Sequence, residues 1–145
     1  MKLLIQRVKN ASVKVDEEIV GKIEEGLLVF IGITHGDNRE KADYLVKKLC
    51  NLRIFHDQDE KMNLNVKDVN GEVLVVSQFT LYANSEGGNR PSFVDAAKPE
   101  IARELYDYFC KKCEEKSIKV QTGVFGAHME VSLINNGPVT IILEK

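Results

Sequence analysis

Eight consecutive residues, Gly26-Leu27-Leu28-Val29-Phe30-Ile31-Gly32-Ile33, pass without a single charged or hydroxyl side chain. The run is too short to span a membrane and shows no alternation, so it reads as a strand buried on both faces. Such a strand needs neighbours on each edge and cover on each face. Lys2–Val8 and Ala11–Val15 read as two strands, the alternation in the second placing Val13 and Val15 on one side. Asp16-Glu17-Glu18 reads as a turn, and Ile19–Ile23 as the return strand. Glu72-Val73-Leu74-Val75-Val76 is a second inner strand, and residues 118–121, 129–134 and 139–143 read as three closing strands. The last two meet at Asn135-Asn136-Gly137, a hairpin signal complicated by the Pro138 that follows.

Cover comes from two helices. Asp37-Asn38-Arg39-Glu40 has capping-box spacing with Asp37 as N-cap, and Ala42, Leu45, Val46 and Leu49 follow at helical spacing, predicting a helix over about 38–50. Pro99 suits the first turn of a second helix, whose apolar face is Ile101, Leu105, Tyr108 and Phe109, reaching about residue 116. Residues 51–72 read as a long connection with short ordered pieces. Asn84–Ser92, with Gly87-Gly88 and Pro91, reads as a mobile loop beside a site. Many strands, two principal helices and no βαβ rhythm predict an α+β domain with a mainly antiparallel sheet or small β-barrel. No boundary divides residues 1–145, and the length suits one domain.

Charge narrows the partners. Twenty Lys and Arg against 22 Asp and Glu leave a net charge of −2, so a wholesale polyanion binder is excluded. Contact with nucleic acid would have to run through a local basic strip or the chemistry of one end. The three cysteines are an odd number, and the apolar start ends at Gln6-Arg7, too short for a signal peptide. We expect reduced thiols, no membrane segment and a cytoplasmic location.

Most familiar chemistries find no support. Cys110-Lys111-Lys112-Cys113 has redox or zinc spacing, yet it falls near the C-terminal end of the second helix, where the dipole disfavours a thiolate. Zinc would need two further ligands, and only Cys50 and three scattered histidines are on offer. Both cysteines read as edge residues of a packed face. His35, His56 and His128 show no metal spacing, and His128 and Glu130 read as one solvated side of a strand. The pairs Glu17-Glu18, Glu24-Glu25 and Glu114-Glu115 belong to turns and helix surfaces. There is no phosphate-binding glycine fingerprint, and no metal or cofactor is expected.

Two polar clusters remain, neither with a general base. Ser77, Gln78 and Thr80 leave an apolar strand; strict alternation puts Ser77 and Phe79 on one side and Gln78 and Thr80 on the other, and a bulge would be needed to present them together. A strand end satisfying its own backbone explains them equally well. Asn135-Asn136-Gly137-Pro138-Val139-Thr140 is either a hairpin with a rigid proline or a gauge. A Gly-Pro bond can be cis at a cost of about 0.5–1 kcal/mol, and a cis bond points two carbonyls the same way. That pair could accept an amino group and leave no room for a side chain on one side of a stereocentre.

Ser77-Gln78-Phe79-Thr80-Leu81 together with Asn135-Asn136-Gly137-Pro138-Val139-Thr140 resembles the two signature motifs of bacterial-type D-aminoacyl-tRNA deacylases. The likeness extends to Ile5-Gln6-Arg7-Val8, Asn51-Leu52-Arg53-Ile54-Phe55, Lys61-Met62-Asn63, Asn89-Arg90-Pro91-Ser92-Phe93 and Thr122-Gly123-Val124-Phe125-Gly126-Ala127. The resemblance implies a homodimer with each active site at the interface, the Gly137-Pro138 pair in cis reaching into the partner's site. It implies hydrolysis of the ester that joins a D-amino acid, or glycine mischarged on tRNA-Ala, to the terminal adenosine of tRNA. L-aminoacyl esters would be rejected where the two carbonyls hold the amino group, an L side chain colliding there.

The same resemblance leaves two mechanisms. Thr80 could be a nucleophile; alternatively the substrate's 2′-hydroxyl assists a water, with backbone groups near Phe79 stabilising the oxyanion. The absence of a base near Thr80 in sequence favours the second. Ser77 and Gln78 would position adenosine and ester, Phe125 would wall the adenine pocket, and Asn135, Gly137, Pro138 and Val139 would bind the substrate. Where this family often carries basic loop residues, the chain has Ser85-Glu86-Gly87-Gly88. Arg7, Arg53, Lys98, Arg103 and Lys111 are the other candidates for phosphate contact, and a net negative enzyme reading mainly the acceptor end should show a shallow salt dependence.

Overall fold

The computed structural model describes residues 1–145. Strand β1 is a single element, Lys2–Val15, rather than two. The break expected at Lys9-Asn10 is bridged because Asn10 pairs with Ile134 in a long neighbouring strand. Strands β2 (Glu18–Ile23) and β3 (Gly26–Gly32) return along β1 in one register, from Ala11 opposite Ile23 to Val8 opposite Gly26, so Glu24-Glu25 interrupts them only locally.

β3 is buried on both faces, as its unbroken apolar run predicts. Leu27, Val29 and Ile31 enter a large core beneath the helices, while Leu28 enters a smaller one with Val8, Val13, Ile23, Leu74 and Val76. Helix α1 (Arg39–Cys50) follows, capped by Asn38, whose side chain accepts from Lys41 N at 3.1 Å. Asp37, the expected cap, instead accepts from Thr34 N at 2.8 Å and from the Met1 ammonium at 2.7 Å. A small pair, β4 (Phe55–His56) and β5 (Met62–Leu64), occupies part of the long connection.

Strand β6 (Glu72–Ser77) then lies parallel to β3, and after helix α2 (Pro99–Glu114) strand β7 (Lys119–Thr122) lies parallel to β6. Each helix is therefore a crossover between parallel strands, a rhythm the sequence reading did not find. Three antiparallel ladders run along β1 and two parallel ones along β6, so the α+β sheet is mixed. It nearly closes into a barrel: a Cβ on Gly21 of β2 would stand 2.4 Å from the Thr122 carbonyl oxygen of β7. α2 buries Leu105, Tyr106, Phe109, Cys110 and Cys113 and leaves Ile101 exposed; its Tyr106 hydroxyl donates to Val75 O at 2.9 Å. The cysteines belong to the core rather than its edge, and burial pushes the Cys110 thiol up to about 12.

The chain ends in β8 (Glu130–Glu144), one strand on the free edge of β1 rather than two strands joined by a hairpin. Lys2 to Gln6 pair with Glu144 to Thr140, and Val8 to Lys14 with Asn135 to Glu130. Arg7 alone stands opposite residues 136–139, so β8 pushes out a turn without reversing. Within it Gly137 has φ +135° and the Gly137–Pro138 bond is cis.

Candidate active site

β6 ends at Ser77, opposite Ile31. Gln78 N still donates to Ile31 O at 2.8 Å, and the chain then tightens into one turn of 3-10 helix, Phe79–Tyr82, with Gln78 at its N-cap. Leu81 N donates to Gln78 O at 3.2 Å and Ala83 N to Thr80 O at 3.0 Å. This turn, rather than a bulge, is what frees Ser77, Gln78 and Phe79 from strict alternation. It packs directly on β3 because Gly32 has no side chain: a Cβ there would meet Leu81 Cβ at 2.9 Å and Gln78 O at 3.2 Å.

A cavity of about 650 Å³ opens at this point. Its floor is Ile31, Ile33 and Val76; its walls include Ala97, Ala102, Phe125 and Met129; Ser77, Gln78, Phe79 and Phe93 stand at its polar and aromatic side. Phe79 and Phe93 meet edge to face, ring centroids 5.1 Å apart, and Phe125 leans on Tyr106 at 5.8 Å. The segment before α2 is tied in by Ala97 N, which donates to Ile33 O at 2.9 Å. β3, β6 and β7 all run their carboxyl ends toward this cavity, the position at which parallel strands present loops to a ligand.

Thr80 is exposed, and its Oγ1 accepts a hydrogen bond from Gln78 Nε2. No carboxylate or imidazole bonds to it: His35 Nε2 is with Val94 O at 2.8 Å, and His56 sits on β4. Tyr82 follows in the same turn, its hydroxyl held well above the usual phenol range by burial and then by the Asp37 and Glu144 carboxylates.

Gly137, Pro138, Asn135 and Val139 are not among the residues lining this cavity. Asn135 pairs with Val8, and Val139 packs against the large core. The turn is held by Arg7, only 3% exposed, whose Nε donates to Asn136 O at 2.8 Å and whose other guanidinium arm donates to Ile54 O. A buried arginine engaged in this way is not a phosphate contact, which removes one of the five sequence candidates. Arg53 is also engaged, donating to Asn63 O at 2.8 Å and Asn63 Oδ1 at 2.9 Å.

The structure therefore gathers Ser77, Gln78, Phe79 and Phe125 at one cleft, leaves Thr80 beside it, and places the second motif elsewhere on the chain. His128, Phe93 and Met129 line the cleft although sequence reasoning did not assign them there. His128 precedes β8 rather than lying within it, so strand alternation misplaced it. Phe93 and Phe125 both lie within segments that resemble the deacylases, and that was the available signal. No three His, Cys, Asp or Glu side chains cluster as they would around a metal ion.

Fold and cleft together define an α+β domain with a nearly closed mixed sheet and a cleft at the carboxyl ends of its parallel strands. A family model described as D-Tyr-tRNA(Tyr) deacylase matches residues 4–144. D-aminoacyl-tRNA deacylases of Thermosipho africanus and Flavobacterium psychrophilum are 54% and 58% identical, each match covering 100% of this chain and 97% of the relative. The chain belongs to the D-Tyr-tRNA(Tyr) deacylase family and is a hydrolase. Among solved structures, one described as c-Myc DNA Unwinding Element Binding Protein superposes with a TM-score of 0.93 at 39% identity, covering 100% of this chain and 99% of that one. Another, a probable eukaryotic D-amino acid tRNA deacylase, shares the fold with a TM-score of 0.82 at 18% identity, covering 98% and 97%.

Proposed function

We propose that this protein hydrolyses the ester joining a D-amino acid, or glycine mischarged on tRNA-Ala, to the terminal adenosine of tRNA, and rejects L-aminoacyl esters. The observation that carries the reading is the single cleft shared by Ser77-Gln78-Phe79 and Phe125, two separated segments that resemble the deacylases. Its apolar floor suits a nucleobase and its Ser77-Gln78 side suits the ribose and ester. Thr80 Oγ1 accepts a hydrogen bond from Gln78 Nε2 and has no carboxylate or imidazole to take its own proton, so the substrate's 2′-hydroxyl assists the attacking water.

Chiral rejection belongs to the Gly137–Pro138 turn, supplied by the second subunit of a homodimer. Support comes from the turn lying outside its own protomer's cleft and from an exposed apolar surface on β8 that includes Ile142, 60% exposed, and Ile134, 55% exposed. No helix is long and apolar enough to cross a membrane. The three free cysteines are buried, and thiols kept reduced suit a cytoplasmic location.

The test is parallel deacylation of D-tyrosyl-tRNA and L-tyrosyl-tRNA with chelator present, for the native protein and Thr80→Ala. Loss of only the D-ester, retained in the variant to within about threefold, is expected where no side-chain nucleophile acts. A dead Thr80→Ala would return the chemistry to Thr80. Absence of D-specific hydrolysis in the native protein would favour a second reading, a nucleic-acid-binding dimer, which the likeness to the DNA unwinding element binding protein makes specific.

A further inference from the structure

Of the five cations the sequence offers as phosphate contacts, three are engaged or distant. Arg7 is buried, Arg53 is bonded to Asn63, and Lys111 lies in the second half of α2, in a shallow depression with Asp107, Lys112 and Glu115. The other two flank the cleft. Lys98, at the N-cap of α2, lines the cavity. Arg103, one turn on, has its guanidinium carbon 5.8 Å from the centroid of Phe125, a cavity wall. Both are exposed, and neither takes part in any of the ion pairs of the fold. The carboxylate next to Arg103, Glu104, is occupied by Arg39 at 2.9 Å; Glu100 and Asp107 remain as the acidic groups of these turns. Lys98 is the one lysine or arginine among the residues that line the cavity, whose Phe79 and Phe93 meet edge to face.

We infer that Lys98 and Arg103 hold the backbone phosphates that leave the cleft when the substrate's terminal nucleoside is seated in it, so that the single-stranded end runs out over the start of α2. The inference rests on the proposed aminoacyl-tRNA substrate. A cavity of about 650 Å³ suits a nucleoside with its esterified amino acid, and the rest of the polynucleotide must exit. The exit side that carries positive charge is the one that stabilises a phosphodiester, and two unpaired cations there give a net negative protein a local foothold on a polyanion.

The experiment compares steady-state hydrolysis of D-tyrosyl-tRNA with that of 3′-D-tyrosyl-adenosine, which carries no phosphate, across a salt series. In the double variant Lys98→Gln/Arg103→Gln the ratio of KM for the tRNA to KM for the nucleoside ester rises about tenfold, roughly threefold per charge. The slope of log kcat/KM against log salt on the tRNA flattens by about 1.4, two contacts at about 0.7 each for a single strand. The charge-keeping variant Lys98→Arg/Arg103→Lys restores both. An unchanged ratio and slope would overturn the inference, as would an equal KM rise on both substrates, which would mean only a disturbed cleft wall. Failure of the native protein to hydrolyse either ester would sink the substrate reading itself, and this inference with it.

Discussion

The cleft and the Gly137–Pro138 turn are the two distinctive regions of this chain, and they are secured in different ways. The cleft is a by-product of the fold: three parallel strands end there, the first turn of α2 closes one side, and the turn after β6 is fixed to β3 by Gln78 N. The other region is an interruption of a ladder, four residues facing one, positioned chiefly by a buried arginine that reaches across from β1. The cleft takes its walls from several elements of the core at once, whereas the turn projects from one strand and takes its side-chain hydrogen bond from Arg7.

Substitutions should separate the two regions sharply. Gly137→Ala is expected to be the most damaging to function: φ is +135°, and the added Cβ would stand 3.0 Å from both the Arg7 guanidinium and Val139 N. A displaced turn should lower D-ester hydrolysis by about a hundredfold, read as kcat/KM, with the cleft itself intact. Arg7→Met should act next, on stability as well as function. It leaves the carbonyls of Asn136 and Ile54 without their donor, at about 3 kcal/mol, measurable as a lower urea midpoint with unchanged m-value.

On the cleft side, Gly32→Ala pushes Leu81 away from β3 and should cost about 1–3 kcal/mol while reducing kcat/KM roughly tenfold, because Gln78 moves with the turn. The smallest effect is expected at the thiols. Burial of all three, with Cys110 raised to about 12 and Cys113 raised by its contact with Cys50 and by burial, should leave native protein unlabelled by a maleimide at neutral pH. Rapid labelling of Cys113 would show that α2 opens from α1.

Much of this arrangement was legible in the residues. The run from Gly26 to Ile33 and the helix under Leu45 and Leu49 had local causes and stand where expected, whereas the loop-like stretch 84–92 is closed by the Asn84–Ser92 pairing and none of its residues lines the cleft. The topology around them was not local. Parallel pairing of β3, β6 and β7 was hidden because residues 51–71 separate α1 from β6, so no short βαβ period could be seen. Asn136-Gly137 looked like a chain reversal, yet β1 holds the strand on both sides of it, and long-range pairing overrides turn chemistry. The same holds for the site. Ser77 to Thr80 stood out as polar residues after an apolar strand, whereas Phe93, Lys98 and His128 come from segments with no periodicity of their own and meet only in three dimensions.

Mixing two inactive variants tests most directly whether the cleft of one subunit works with the turn of another. Ala102→Trp fills the cleft and leaves the turn; Gly137→Ala disables the turn and leaves the cleft. In the proposed homodimer, free exchange makes half of the dimers mixed, each with one intact cleft facing one intact turn, so D-tyrosyl-tRNA hydrolysis should recover to about a quarter of the native rate. A mixture as inactive as its components would contradict the account and place the turn's action within its own chain or outside the reaction.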